Sequence, residues 1–325
     1  MLHHILLLSA FLLPFKQKQF SLFGYAQGTS YKILYYSNKP RIAQNEIDSF
    51  FLALENSLSI YNPNSLISQF NREGIVTPDL HLLKVVLKGK EVNQMAQGYF
   101  DMTVLPLVEA WGFGIRPHQQ PPDSSVIYVL NNYIGDSLIY FSFHQLLRKK
   151  DCVKLDVNGI AQGYSVDVLS DFLETKNIAN YLIEIGGEIY ARGNKPGNKK
   201  WIISIEQPGA LEDNIVESYF SIENKAVTTS GNFRRYYESE GKLISHIIDP
   251  TTGFPVQNEL ISVTVCAKDA ITADAFDNVF MVMGLQKSLE FLQHHHELGA
   301  YFIYKDEMGN IKDTAYNFLK PVAFD

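Results

Sequence analysis

Cysteine is scarce in this chain, with two residues, Cys152 and Cys266, among 325. So few thiols, so far apart, build no disulfide framework and lack the paired spacing of a zinc site. Blocks of basic residues are missing too, and 28 Lys and Arg against 35 Asp and Glu leave a formal charge of −7. An acidic chain without a basic cluster has no electrostatic footprint for a phosphate backbone, so no nucleic-acid partner is expected. Internal repeats and long linkers are absent. No apolar stretch reaches the about 20 residues that a spanning helix needs. What is present is a chain 46% hydrophobic and 19% charged, able to bury a sizeable core as one large domain or two ordinary ones. These proportions suit a globular enzyme.

The apolar run at residues 5–13 ends at Pro14 and is followed by Phe15-Lys16-Gln17-Lys18. Its length suits the core of a signal peptide. His3-His4 is a weak basic flank and no clear cleavage site follows, so a misassigned start ahead of a cytosolic enzyme is the competing reading. The expectation is export, to the periplasm or the inner-membrane surface. Residues 1–20 are set apart as a leader or anchor, and 21–325 as the functional domain.

Residues 28–36 are rich in β-branched and aromatic side chains and predict a first strand. Helical spacing of Ile42, Ile47, Phe50, Phe51, Leu54 and Leu58 predicts a helix within 41–61. A second helix is expected from Pro78-Asp79 to Gly98, and a third over 159–174. Strands are expected at 181–191, 201–206, 219–222, 234–248 (a hairpin turning at 238–241) and 260–267. Helices follow at 271–283 and 286–295, then a strand at 300–304. Strands grouped without regular alternation with helices predict an α+β fold, largely antiparallel sheet with packed helices.

Four constellations hold residues suited to chemistry. In Leu155-Asp156-Val157-Asn158-Gly159-Ile160-Ala161-Gln162-Gly163, glycines accompany the opening of a helix, whose free N–H groups suit a phosphate; an ordinary turn with an Asx cap is the alternative. The paired glycines of Glu184-Ile185-Gly186-Gly187-Glu188 read as an in-strand bulge, serving either packing or close approach of a ligand. Thr228-Thr229-Ser230-Gly231-Asn232 and Ser245-His246-Ile247-Ile248-Asp249-Pro250 place hydroxyls and one imidazole at predicted strand ends. His246 is either a general base or a structural strand residue. Finally, Asp274, Asp277 and Asn278 stand at i, i+3 and i+4, so their oxygens share one helix face. With apolar flanks this face suits Mg²⁺ better than solvent. His294-His295-His296 is read as a solvated helix terminus, because successive helical residues diverge.

The order of GTSY, SIYNPNSLISQFN, GYFDMTVLPLVEAWGFG, LDVNGIAQGYSVD, IEIGGEIYARG, TTSGNFRRYYESEGKLISHIIDPTTGFPV and ITADAFDNVFMVMG resembles the ApbE family of FAD:protein FMN transferases over about residues 24–305. The resemblance implies a T-fold-related α+β architecture with FAD in a cleft between two lobes. It also implies Mg²⁺-dependent chemistry in which FAD is the substrate. FMN is joined through its phosphate to a Thr or Ser hydroxyl of an acceptor flavoprotein, by analogy a subunit of a membrane redox complex, and AMP leaves. Carried over by position, Tyr61 lies against the flavin, Tyr99, Phe100 and Asp101 line the nucleotide, and Asp156, Gln162 and the Ile248 backbone contact the cofactor. The Gly159 carbonyl, Asp274, Asp277 and Asn278 hold the metal, and His246 activates the acceptor hydroxyl.

Three positions depart from the family pattern. Gln27 stands where Met is frequent near the flavin, Gln162 where Lys is common, and Asn278 where Thr usually ligates. An amide oxygen can replace a hydroxyl on Mg²⁺, though it reaches from a longer side chain. Two other activities share the implied site: an FAD pyrophosphatase that uses water as acceptor, and FAD binding without turnover.

Overall fold

The computed structural model describes residues 17–207, 216–232, 236–239 and 241–322. The apolar run of the expected leader lies outside the described residues, as do residues 234, 235 and 240 of the expected hairpin. The chain opens with β1 (Lys18–Ala26), β2 (Thr29–Ser37), α1 (Gln44–Leu58), α2 (Leu66–Glu73), β3 (Ile75–Val76), α3 (Leu80–Met95), α4 (Leu105–Ala110) and α5 (Ser124–Leu130). Next come β4 (Ile139–Ser142), β5 (Gln145–Arg148), α6 (Asn158–Thr175), β6 (Tyr181–Ile185), β7 (Glu188–Arg192), β8 (Trp201–Gln207) and β9 (Val216–Ile222). The order closes with β10 (Lys225–Gly231), β11 (Tyr236–Ser239), β12 (Lys242–Ser245), β13 (Leu260–Ala267), α7 (Ala270–Met283), α8 (Leu285–Leu292), β14 (Gly299–Lys305), β15 (Ile311–Tyr316) and β16 (Lys320–Pro321).

Eight strands form one sheet in the order β1-β2-β6-β7-β10-β13-β14-β15, with every neighbouring pair antiparallel. The period-2 alternation of strand side chains divides its residues between two cores. Tyr31, Ile33 and Tyr35 of β2, Ile183 of β6, Val263 and Val265 of β13 and Phe302 of β14 face the helices, in a core shared with α1, α3, α6 and α7. Leu182, Cys266, Tyr301 and Ile303 face the other way, against Trp201, Ile203, Ile205 and Phe220 of the β8–β9 hairpin. A third cluster, Leu107, Trp111, Phe113, Ile127, Tyr237, Ile244 and Ile248, lies beneath the β11–β12 hairpin. The α+β class with antiparallel sheet expected from the sequence is the observed one.

Lys18, Gln19 and Phe20, on the leader side of the boundary drawn after residue 20, pair with Ser37, Tyr36 and Tyr35 in β1, and the Phe20 ring stacks on Tyr35. Two expectations are corrected. Gly186 and Gly187 form the two-residue turn between β6 and β7, not a bulge within one strand, with Ile185 opposite Glu188 and φ of +67° and +115°. Glycine meets positive φ without steric cost, which is why this pair selects a tight hairpin. Helix α8 stops at Leu292, so the three histidines lie in the turn beyond it. There His295 stacks on Phe291 and approaches Glu297 at 3.0 Å.

Candidate active site

Helix α6 opens onto a cleft because the segment before it is pinned. The Asn71 side chain accepts from the Leu155 N–H at 2.6 Å and donates to the Leu155 carbonyl at 2.9 Å, while the Asp156 N–H donates to Met102 O at 2.7 Å. Asp156 Oδ1 then accepts the Asn158 N–H at 2.8 Å, which is the Asx-capped turn weighed from the sequence. At Gly159 the backbone leaves helical geometry (φ −82°, ψ 16°), and its carbonyl comes within 3.5 Å of Asn278 Nδ2.

Helix α7 packs on α6 at backbone distance. A Cβ on Gly163 would lie 2.3 Å from Ala270 O and 2.6 Å from Asp274 Cβ, so only glycine fits this crossing. The Gly163 N–H donates to Asp274 Oδ2 at 2.7 Å. Asp167, one turn farther along α6, accepts from the Ala270 and Ile271 N–H groups at 2.7 and 2.8 Å. Two helix-opening donors of α7 are thus satisfied by α6, and Asp269 caps a third, from Thr272.

These contacts hold Asp274 and Asp277 almost fully buried, at 5% and 2% exposure. Burial pushes the Asp274 carboxyl up to about 7, against the lowering effect of the Gly163 hydrogen bond. Burial, then the Asp274 charge, raises Asp277 well above the ordinary carboxylate range. Two crowded, desolvated carboxylates are a costly arrangement that a bound cation offsets. Among the described residues no three His, Cys, Asp or Glu side chains converge, so a cation here would rest on two carboxylates with the Asn278 amide and Gly159 carbonyl oxygens. That all-oxygen set fits Mg²⁺.

The cleft, a cavity of about 350 Å³, gathers Tyr99, Phe100, Asp101, Asp156, Gly159, Gln162, His246, Ile248, Asp274, Asp277 and Asn278 into one lining. His246 follows β12 directly, half-buried, with Phe113 edge-on at 6.2 Å between ring centroids. Tyr99 is fixed by Lys287, whose Nζ donates to its hydroxyl at 2.8 Å. Asp101 is occupied: Oδ1 accepts from the Thr103 N–H and hydroxyl, and Oδ2 from Asn93. Its carboxylate holds the turn, and burial raises its pKa despite those bonds.

Gln27 and Tyr61 do not line this cavity. Gln27 sits in the β1–β2 turn at φ +52° and donates to Ser165 Oγ at 2.7 Å. Tyr61 lies between α1 and α2, 53% exposed. The cavity also contains residues that the sequence placed in candidate segments without a specific role, including Glu188, Thr229 and Ser230. Glu188 is buried, and its charge adds to the repulsion felt by Asp277. Reading Gly186-Gly187 as a two-residue turn would have placed it, since Glu188 then opens a new strand pointing back toward α6. A Cβ on Gly186 would meet Gln162 Nε2 at 2.9 Å and Glu188 Oε2 at 3.2 Å, so this turn does approach α6 closely.

The sequence profile of the ApbE family matches residues 27–302. The chain is 34% identical over 314 residues to the FAD:protein FMN transferase of Vibrio cholerae, spanning 94% of this chain and 92% of that protein. It is 32% identical over 318 residues to the one from Haemophilus influenzae, spanning 93% and 91%. Among solved structures, the flavin transferase ApbE of Vibrio cholerae superposes with a TM-score of 0.83 at 31% identity over 92% of this chain and 97% of the other. The apo flavinyl transferase ApbE of Pseudomonas stutzeri gives 0.84 at 28% identity over 94% and 96%. With its family profile matched over most of its length and relatives of this identity and coverage, this chain belongs to the ApbE family.

Proposed function

We propose that this enzyme transfers FMN from FAD to a Thr or Ser hydroxyl of an acceptor flavoprotein, with Mg²⁺ required. The observation that carries this reading is the meeting, in one cavity, of the Asp274–Asp277–Asn278 face, the α6 N-terminus and the imidazole of His246. Bound there, Mg²⁺ would supply charge neutralisation for the pyrophosphate and the departing AMP. Asp274, Asp277, Asn278 and the Gly159 carbonyl would hold it. The α6 N-terminus offers partial positive charge to the same phosphates. His246 takes the proton as the acceptor oxygen bonds to the flavin-side phosphorus. The P–O bond to AMP breaks, and a phosphodiester joins FMN to the acceptor. Holding the nucleophile in line can contribute ~7–11 kcal/mol of the barrier.

The test is incubation with FAD and Mg²⁺, with and without an acceptor flavoprotein, following AMP and protein-bound FMN. Covalent label with stoichiometric AMP supports transfer. AMP without label makes the enzyme a pyrophosphatase, and neither product makes it a binding protein. By analogy the acceptor is a subunit of a membrane redox complex. Mass spectrometry of FMN-modified proteins from cells with and without the enzyme identifies it. Export is proposed on the apolar run at residues 5–13, and cell fractionation checks it.

A further inference from the structure

Asn278 faces four polar neighbours. Its Nδ2 lies 2.9 Å from Asp277 Oδ1, 3.0 Å from Asp274 O and 3.5 Å from Gly159 O, and its Oδ1 accepts from Ser230 Oγ at 3.3 Å. The three atoms around Nδ2 are all acceptors. Turned over, the amide would set Oδ1 against the Asp274 and Gly159 carbonyls, which carry no proton in any state, and both of those bonds would be lost. Without a cation the network therefore fixes one orientation, with the amide N–H groups pointing at the oxygens. With a cation the preference inverts, because Oδ1 becomes a ligand and an N–H pointing inward would face positive charge.

We propose that Asn278 is a cation-responsive latch that frees the Ser230 hydroxyl for the substrate's phosphates. Ser230 can partner either orientation, since a hydroxyl both donates and accepts. When Oδ1 faces Ser230, the serine proton is spent on it. When the amide turns, Nδ2 donates to Ser230 Oγ and the serine O–H is released. Ser230 lines the cavity, so the released donor is available to an anionic oxygen there. Cation binding thereby creates a phosphate donor on β10, and metal and nucleotide reinforce each other. Linkage makes that coupling reciprocal. The inference rests on the Mg²⁺ site proposed above and adds an order to its use. A Thr at this position has one hydroxyl and no nitrogen, so exchanging an oxygen for an N–H at the cation face belongs to the asparagine.

Enzyme labelled with ¹⁵N-asparagine tests the latch. The side-chain NH₂ signal of Asn278 is identified by its loss in Asn278→Asp, and it should shift on saturation with Mg²⁺. The Asn278→Asp variant in EDTA should melt lower by about 2–4 °C, having lost the inward donor. It should recover with Mg²⁺ and bind the ion about tenfold more tightly, through the added charge. For ADP binding, Ser230→Ala should match the wild type in EDTA and lose affinity only when Mg²⁺ is present. An Asn278 signal that stays in place while calorimetry shows Mg²⁺ bound overturns the latch and leaves the metal site standing. An equal loss of ADP affinity in Ser230→Ala with and without Mg²⁺ also overturns it. If wild-type enzyme shows neither heat nor thermal shift with Mg²⁺, the metal reading itself fails.

Discussion

His246 and Asp274 line the same cavity with different anchors. His246 emerges from a hairpin end against Phe113, whereas Asp274 is clamped between helices by the Gly163 N–H. His246→Asn should bind FAD about as well as the wild type but label the acceptor ~10²–10⁴-fold more slowly, the usual cost of losing a general base. Flavin fluorescence quenching reads the affinity and FMN incorporation the rate. Should affinity collapse while the rate at saturating FAD holds, His246 is a binding residue. Asp274→Ala should abolish turnover and any thermal shift by Mg²⁺, yet keep the fold. It strands the Gly163 N–H, which costs about 1–3 kcal/mol, but it also removes one of two crowded carboxylates. Calorimetry with and without Mg²⁺ measures both effects. The face of Asp274, Asp277 and Asn278 was legible because i, i+3, i+4 spacing is a local property of a helix. Gln27 and Tyr61 entered only through family resemblance, and the cleft does not include them.

At the scale of elements, the α6–α7 pair determines where the cation face stands. Asp167 is its least visible part in the sequence, a carboxylate in mid-helix whose partners lie on the opening turn of another helix. Nothing in the periodicity of α6 announces that. Burial lifts its carboxyl to about 7, with the two backbone bonds lowering it less and the charges of Asp269 and Asp171 adding to the rise. A folded pKa above the unfolded value means stability fully present below the unfolded pKa and lost as pH rises through the folded one. Asp167 therefore contributes less stability at pH 8 than at pH 5. Asp167→Asn keeps one acceptor, loses the other, and does not titrate. Urea unfolding should show the variant about 1 kcal/mol or more weaker than wild type at pH 5, with the gap closing by pH 8. A gap independent of pH would show that Asp167 is already ionised across that range. Elements without a strong local pattern escaped the sequence in the same way: β3 is two residues long, and β1 starts inside the expected leader and runs past it. Helices α3 and α7 carried capping residues, α6 a long run of buried apolar residues, and all three were found.

Across the whole molecule, the candidate site is assembled where two packing units meet. The cation face belongs to the main core of sheet and helices. The segment around His246 and Ile248 rides on the satellite cluster built around Trp111, Phe113, Tyr237 and Ile244. Hydrophobic pattern indicates which face of each strand is buried, but not which of three clusters receives it, so this division was not readable from the chain. It has a consequence for how damage spreads. Trp111 Nε1 donates to Gly253 O at 2.8 Å and its ring meets Phe254 edge-on, tying down the loop that follows Ile248. Gly253 itself has φ +83°, and a Cβ there would lie 2.5 Å from Asn131 Oδ1, so the loop has little room to settle elsewhere. Trp111→Phe keeps most of the apolar bulk and strands the Gly253 carbonyl, at a cost of about 1–3 kcal/mol. The loop carries Pro250 in the cavity wall, so KM for FAD should rise, roughly 5–30-fold if 1–2 kcal/mol is lost at the site. FMN transfer should slow as His246 loses its support. Mg²⁺ affinity and the Mg²⁺-induced thermal shift should stay at wild-type values, because α6 and α7 do not lean on this cluster. If calorimetry instead finds Mg²⁺ binding weakened in step with FAD binding, the two units act as one, and the cation face depends on the hairpin that carries His246.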